Sequence, residues 1–91
     1  MALSSSGGGG TTIAKKVSSN VVLYTVPEGK TFEGHMWNTS STGPGYINGV
    51  QLRWPYNSSY FVQNYLPISL NAGDVVKGDP SGETCIVGVE K

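Results

Sequence analysis

Glycine and proline recur along this chain at spacings that suit short strands and leave little room for helices. The 91 residues include 13 glycines and 5 prolines, and turn signals return about every 8–12 residues. No segment keeps apolar residues at the 3.6-residue period of a helix. The sequence therefore predicts an all-β protein, a jelly-roll-like antiparallel β-sandwich of about seven to eight short strands.

The clearest local signal is a β-hairpin centred on Asn48 and Gly49. These two residues separate the strand-like segments 46–47 and 50–52, and both tolerate the positive φ that a type I′ turn requires. Tight turns are also predicted where Pro, Gly, Asn and Asp cluster, at residues 27–29, 71–74 and 78–82. The other predicted strands comprise residues 21–26, 30–37, 60–63, 66–70, 75–76 and 83–90.

Alternation along these strands predicts one hydrophobic core. Gly34 lies inside its strand and indicates a bulge or a close approach of another segment. His35 falls on the more polar side of the same strand, and Cys85 is expected to point inward as a small buried hydrophobe. The predicted core consists of Val22, Tyr24, Val26, Phe32, Ile47, Leu52, Phe61, Leu66, Ile68, Leu70, Val75, Ile86 and Val89.

The N-terminal residues 1–19 are predicted to form a flexible Gly/Ser-rich arm, and residues 20–91 the β-sandwich domain. Gly7–Gly10 has the composition of a flexible linker. Residues 11–17 can become a strand if a partner supplies the other edge. Since an arm that orders on binding can cover a long surface, we expect contacts with a partner protein or a neighbouring subunit from its apolar and basic residues, namely Leu3, Ile13, Lys15, Lys16 and Val17.

A folded body of roughly 70–80 residues buries a modest share of its surface and usually needs extra stabilisation. The single cysteine, Cys85, excludes an intrachain disulfide, and the single histidine, His35, leaves a zinc site without ligands. Oligomerisation remains as the source of that stabilisation. The sequence therefore favours a homo-oligomer.

Charge and hydropathy exclude several classes of partner. The formal net charge is zero and 13% of the residues are charged, so a basic surface for nucleic acid is not expected. No segment has the 18 or more apolar residues of a membrane span. The N-terminus lacks the basic and apolar regions of a signal peptide, so we expect synthesis in a cytoplasm without Sec-type secretion.

Catalytic and metal-binding motifs are incomplete. Gly29-Lys30-Thr31 resembles the end of a phosphate-binding loop, but Tyr24 stands where the first glycine is required and a strand follows. A nucleophile elbow of the G-x-S-x-G kind is not found in the sequence. The carboxylates of residues 74, 79 and 83 do not have EF-hand spacing and are expected to be solvated turn residues. We therefore predict a non-enzymatic protein without metal or cofactor.

Four aromatic residues cluster around two polar loops. They can close the ends of the sandwich, anchor a subunit interface, or stack on a sugar. The sequence leaves these three roles open. The four residues are Trp37, Trp54, Tyr56 and Tyr60.

Three segments of the chain form a pattern: residues 24–34, which contain "VPEGKTF", residues 70–76, "LNAGDVV", and the terminal strand residues 88–90. Together they resemble small β-sandwich virion proteins of tailed bacteriophages. The resemblance extends from Tyr24 to Glu90 and includes capsid decoration proteins and domains of head or tail fibres.

This resemblance implies a capsid decoration, or cement, protein on the outer capsid surface. Such a protein would bind the major capsid protein as a homotrimer and stabilise the shell. The alternative is a head or tail fibre component, or a carbohydrate-binding recognition module of the virion. An enzyme of the cupin type would require a cluster of metal ligands that one histidine cannot supply.

Overall fold

The computed structural model describes residues 10–39, 43–53 and 65–91, and these are folded into eight β-strands without a helix. The predicted all-β class is confirmed. The hairpin and the strands beginning near residues 30, 66, 75 and 83 are found within one or two residues of their predicted bounds. The strands are β1 Thr11–Val17, β2 Val22–Thr25, β3 Thr31–Asn38, β4 Tyr46–Ile47, β5 Val50–Gln51, β6 Leu66–Asn71, β7 Val75–Lys77 and β8 Thr84–Glu90.

The strands form two four-stranded antiparallel sheets. The first sheet has the order β1-β8-β3-β6 and the second the order β2-β7-β4-β5. The pairs β1–β8, β2–β7, β3–β6 and β4–β5 are nested, as if one long hairpin had been folded so that successive pairs alternate between sheets. The pairs β3–β8 and β4–β7 then join neighbouring pairs within each sheet.

Turn residues adopt the backbone conformations that their chemistry predicts. Asn48 and Gly49 have φ of 52° and 83°, so both central residues of the β4–β5 turn have positive φ, as a type I′ turn requires. Gly73 has φ of 91°, and the turn before β7 is closed by a hydrogen bond from the Asp74 N–H to the Asn71 carbonyl, 3.0 Å long. The first turn closes a hairpin within the second sheet, and the second turn carries the chain from β6 in the first sheet to β7 in the second.

One hydrophobic core lies between the sheets. Its buried members come from both of them: Tyr24, Val26, Phe32, Met36, Ile68, Leu70, Val76 and Ile86. Six of these were predicted from alternation, whereas Met36 and Val76 were not. Three further predicted members, Ile47, Leu52 and Leu66, are half-buried against this core. Phe61 lies outside the described residues.

The core prediction is wrong at Val22 and one residue out of phase on β7. Val22 is 55% exposed because the register between β2 and β7 shifts between Val22 and Tyr24, which breaks the two-residue alternation. On β7 the buried residue is Val76, paired with Tyr24 and Ile47, while Val75 is half-buried. Val89 on β8 is likewise only half-buried.

Residues 11–17, assigned by sequence to the arm, form a strand within the chain's own sheet. β1 pairs with β8 over all seven of its residues, so the edge that a partner was expected to supply is supplied by β8. The structural description begins at residue 10, and the division of the chain at residues 19 and 20 stays a prediction. None of the described segments is a helix long and apolar enough to cross a membrane.

Candidate functional site

The outward side of the first sheet carries the most distinctive surface of the described structure. Residues paired across antiparallel strands share a face, and Phe32, Met36 and Ile86 occupy the buried face. Their neighbours in sequence therefore point outward, in three rows that run across the sheet. The rows are Thr12, Val89, Glu33 and Ser69; then Ala14, Val87, His35 and Pro67; then Lys16, Cys85 and Trp37.

An open groove of 410 Å³ lies over β3 and β6 on this face. It is lined by Glu33, Gly34, His35, Pro67, Ile68 and Ser69. Glu33 pairs with Ser69, and His35 pairs with Pro67. The outward side chains along the groove therefore form one polar pair and one pair of an imidazole with a proline ring. The groove is open to solvent, so a ligand would lie on the surface of the sheet and not inside an enclosed pocket.

An aromatic pair continues the groove by one row. Trp37 follows His35 on the same face of β3, and Tyr65 directly precedes β6. The two ring centroids are 4.9 Å apart with an interplanar angle of 72°, the edge-to-face arrangement that aromatic pairs favour. Tyr65 remains 64% exposed. We call the six outward residues of this region the β3–β6 strip: Glu33, His35, Trp37, Tyr65, Pro67 and Ser69.

Some of the predicted site residues lie on β3 or β1 of the first sheet, and the others lie outside the described residues. Trp37 is half-buried on the β3–β6 strip, while Trp54, Tyr56 and Tyr60 lie outside the described residues, as does Leu3. His35 is exposed, as its place on the more polar side of β3 predicted. Tyr65, Glu33 and Ser69 were not predicted as site residues, because their proximity depends on the β3–β6 register.

The residues predicted for the arm lie on β1 at the opposite edge. Ile13 is half-buried and packs against the core, and Val17 is half-buried beside Gly78, where an added Cβ would lie 2.6 Å from Val17 Cγ1. Lys15 and Lys16 are exposed, and Lys16 Nζ lies 3.6 Å from the Glu83 carboxylate. Both lysines are therefore open to solvent, with Lys16 on the outward face and Lys15 on the face that carries Ile13 and Val17.

Cys85 does not point inward as predicted. It lies on the outward face between Lys16 and Trp37 and is half-buried, because Thr84 and Ile86 occupy the inward positions of β8. Partial burial, with the nearby charge of Glu83, raises the pKa of the Cys85 thiol against the opposing effect of Lys16. The thiol is therefore protonated at neutral pH and poorly suited to act as a nucleophile.

The three carboxylates grouped by sequence have three different environments. Asp79 is buried at 3% exposure, which contradicts the prediction of a solvated turn residue. Asp74 accepts hydrogen bonds from the Asn48 amide and the Asn71 N–H, and Glu83 pairs with Lys16. Within the described ranges no three His, Cys, Asp or Glu residues gather as a possible metal site.

A buried hydrogen-bond network surrounds Asp79 and joins the sheets at one end. The Asp79 carboxylate accepts hydrogen bonds from the Ser81 N–H at 3.0 Å, the Ser81 hydroxyl at 2.8 Å and the Gln51 amide at 3.3 Å. Burial alone would raise the Asp79 pKa, but these hydrogen bonds and the charge of Arg53 outweigh burial and lower it. The carboxylate holds the 78–83 loop against β5 and acts structurally.

Because the Asp79 pKa is lowered in the folded state, this residue should make stability depend on acidic pH. Its contribution is complete above the ordinary pKa of 3.8 and is lost as pH falls through the lowered folded-state pKa. We expect Asp79→Asn to lower the free energy of unfolding at pH 7 and the difference from wild type to shrink below about pH 4. Urea denaturation from pH 7 to pH 2 measures this.

The matched control is Glu28→Gln, which neutralises an exposed carboxylate in the turn before β3. Its difference from wild type should stay small across the same pH range. A constant difference between wild type and Asp79→Asn down to pH 2 would contradict the assigned role of the carboxylate.

Comparison with known proteins yields no relative: no protein-family model, no curated protein and no solved structure matches this chain significantly.

Proposed function

We propose that this chain is a non-enzymatic structural protein of a tailed-bacteriophage virion. In this proposal it is a capsid decoration (cement) protein, synthesised in the host cytoplasm, that binds the major capsid protein on the outer capsid surface as a homotrimer. It stabilises the shell by mass action, because a protein that binds only the assembled shell favours that state. The role needs no cofactor, nucleic acid or membrane.

The observation that carries the proposal is the exposed edge of β1. Within the described ranges β1 pairs only with β8, and five of its seven residues are exposed. A long exposed edge strand is a template for pairing with another chain, and strand addition of this kind is a recurring mode of protein recognition. Residues 1–9, including Leu3, lead directly into this edge in the sequence.

We further propose that the two sheets form a jelly-roll sandwich. The nested pairing of β1 with β8, β2 with β7, β3 with β6 and β4 with β5, alternating between sheets, supports this proposal. Eight-stranded jelly rolls occur in viral capsid and lectin domains. This analogy supports a virion role.

The test of the proposed function uses shells purified without this protein. Adding the full chain should give saturable binding and raise the temperature at which the shells disrupt. Light scattering of the free protein should give three times the 9.6 kDa mass of the chain. Lys15→Glu, which reverses a charge on the exposed β1 edge, should weaken shell binding about tenfold, about 1.4 kcal/mol.

The control is Lys30→Glu, which makes the same charge change at an exposed residue outside β1. This variant should bind the shells as wild type does. A monomer that leaves the disruption temperature unchanged would contradict the decoration role. Equal binding by the two variants would contradict attachment through the β1 edge.

A further inference from the structure

We propose that the β3–β6 strip is a binding site for a neutral oligosaccharide. The strip combines the half-buried Trp37 and the exposed Tyr65 at one end with three polar side chains along an open groove. It lies at the β6 edge of the first sheet, whereas the surface proposed for capsid attachment lies at the β1 edge. The saccharide site is therefore a second function that does not depend on attachment to a shell.

The aromatic end of the strip offers an apolar platform beside polar tips. Tyr65 packs against Trp37 edge-to-face, and its 64% exposure leaves much of its surface open to solvent. Tyrosine and tryptophan pair a flat apolar ring with an O–H or N–H donor. The C–H face of a sugar ring fits such a ring, and the sugar hydroxyls can bond the polar tips.

The polar part of the strip has free hydrogen-bonding capacity. The side chains of Glu33, His35 and Ser69 form no hydrogen bond or ion pair with another described residue. Together they offer a carboxylate acceptor, an imidazole, and a hydroxyl that both donates and accepts. Sugar hydroxyls also donate and accept, so they can satisfy all three groups. The Glu33 carboxylate repels an anionic sugar, which favours a neutral one.

The length of the strip suits more than one sugar unit. Outward residues on a strand recur about every 7 Å, so the three rows of the strip extend over about 14 Å. The row of Glu33 and Ser69, the row of His35 and Pro67, and the aromatic row can contact successive units of a chain. We therefore expect two or three adjacent sugar units to be bound.

Pro67 disfavours the addition of a peptide strand at the β6 edge, and so favours a ligand that lies on the outward face of the sheet. β6 is an edge strand among the described residues, but proline has no N–H to donate to a neighbouring strand. An added strand would lose a backbone hydrogen bond at this position. A saccharide on the outward face instead contacts the proline ring and requires no backbone donor.

The test is isothermal titration calorimetry of the full chain with neutral hexasaccharides, namely maltohexaose, cellohexaose, chitohexaose and mannohexaose. At least one should bind saturably with a dissociation constant of about 1 mM or lower. Hexagalacturonate, an anionic hexasaccharide, should bind more weakly. Trp37→Ala and Glu33→Gln should each weaken binding of the neutral sugar about tenfold, about 1.4 kcal/mol.

The control variant is Thr12→Ala, which alters the same face at the opposite edge of the sheet and should bind as wild type does. Because Trp37 is half-buried, thermal melting checks that its variant is folded. If it is not folded, Tyr65→Ala and Ser69→Ala, at exposed positions, replace it and should weaken binding.

Three results would overturn the saccharide site. They are no saturable binding of any neutral hexasaccharide, unchanged affinity in the folded strip variants, or equal affinity for hexagalacturonate. Shell binding is measured in a separate assay with variants of β1. A negative titration therefore leaves the decoration role standing, and loss of shell binding leaves the saccharide site standing.

Discussion

Gly88→Ala should destabilise the protein by about 3 kcal/mol or more, near the upper end for overpacked cores. A Cβ added at Gly88 would lie 2.6 Å from both the Gly34 Cα and the Phe32 Cζ, and would also collide with the Glu33 carbonyl oxygen. Since backbone atoms form part of this contact, moving one side chain cannot relieve it. Urea denaturation should show the lower free energy of unfolding, and thermal melting should give a melting temperature lower by roughly 15 °C.

The control for this prediction is Gly73→Ala. No atom lies within 4 Å of a Cβ added at Gly73, so the substitution costs only the strain of a positive φ, about 1 kcal/mol. A second variant, Phe32→Leu combined with Gly88→Ala, should not restore stability, because the contact with the Glu33 carbonyl remains. Equal stability of Gly88→Ala and wild type would contradict the close packing of β3 on β8.

The glycine pair also supports the proposed saccharide site. Gly34 and Gly88 face each other across β3 and β8, and the Phe32 ring lies against both of them on the buried side. Gly34 also lines the groove. Glu33 and His35 therefore lie on a strand whose inward side packs against the core. Rigid elements of this kind position binding residues better than loops do.

Local chemistry made much of the fold predictable. The Asn48-Gly49 turn has the positive φ values expected for these residues. The inward and outward residues of β3 follow simple alternation, with Phe32 and Met36 buried and Glu33 and His35 exposed. Gly34 was predicted to mark a bulge or a close approach, and the contacts around it show a close approach.

Long-range pairing caused the errors. Val22 is exposed because of an irregularity in the β2–β7 register, which the β2 residues alone do not reveal. Asp79 is buried because residues distant in sequence, such as Gln51, surround it. Assigning Cys85 to the inward face required the phase of β8, and the pattern of Thr84, Ile86 and Val87 allows either phase.

The candidate site was predictable only in part. Trp37 was selected from sequence because aromatic residues near polar loops often bind ligands or partners. Its partner Tyr65 is 28 residues further along the chain, and the polar pair Glu33 and Ser69 is separated by 36 residues. Only the β3–β6 register brings these residues together, and no local signal specifies that register.

The β1 edge and the β3–β6 strip lie on opposite edges of one sheet, and this separation makes the two proposed roles compatible. A strand of a neighbouring protein added at β1 would be separated by β1 and β8 from the groove over β3 and β6. Lys15 and Lys16 lie on β1, and the aromatic pair lies at the other edge. A virion protein held by β1 would therefore leave the strip open to solvent.

Thr84→Val should also destabilise the protein by about 3 kcal/mol, although valine matches threonine in shape. The fully buried Thr84 hydroxyl accepts hydrogen bonds from the Asn38 amide at 2.7 Å and the Asp79 N–H at 2.9 Å, and donates to the Pro44 carbonyl at 2.9 Å. Valine removes all three bonds at once. The Asn38 amide keeps its 3.5 Å hydrogen bond to the Asp79 carbonyl, so the cost falls mainly on the Asp79 N–H and the Pro44 carbonyl, at about 1–3 kcal/mol for each buried polar group that loses its partner.

Two further variants separate the hydroxyl from the methyl group of Thr84. Thr84→Ser keeps the three hydrogen bonds and loses only packing, so it should cost about 1 kcal/mol. Thr39→Val removes one hydrogen bond, from the Glu83 N–H, at an exposed position and should cost less than about 1 kcal/mol.

In Thr84→Val, hydrogen exchange should also accelerate in β4 and β5, because Asp79 links Thr84 to Gln51. If Thr84→Val were as stable as Thr84→Ser, the network would not be what joins the two sheets at this end.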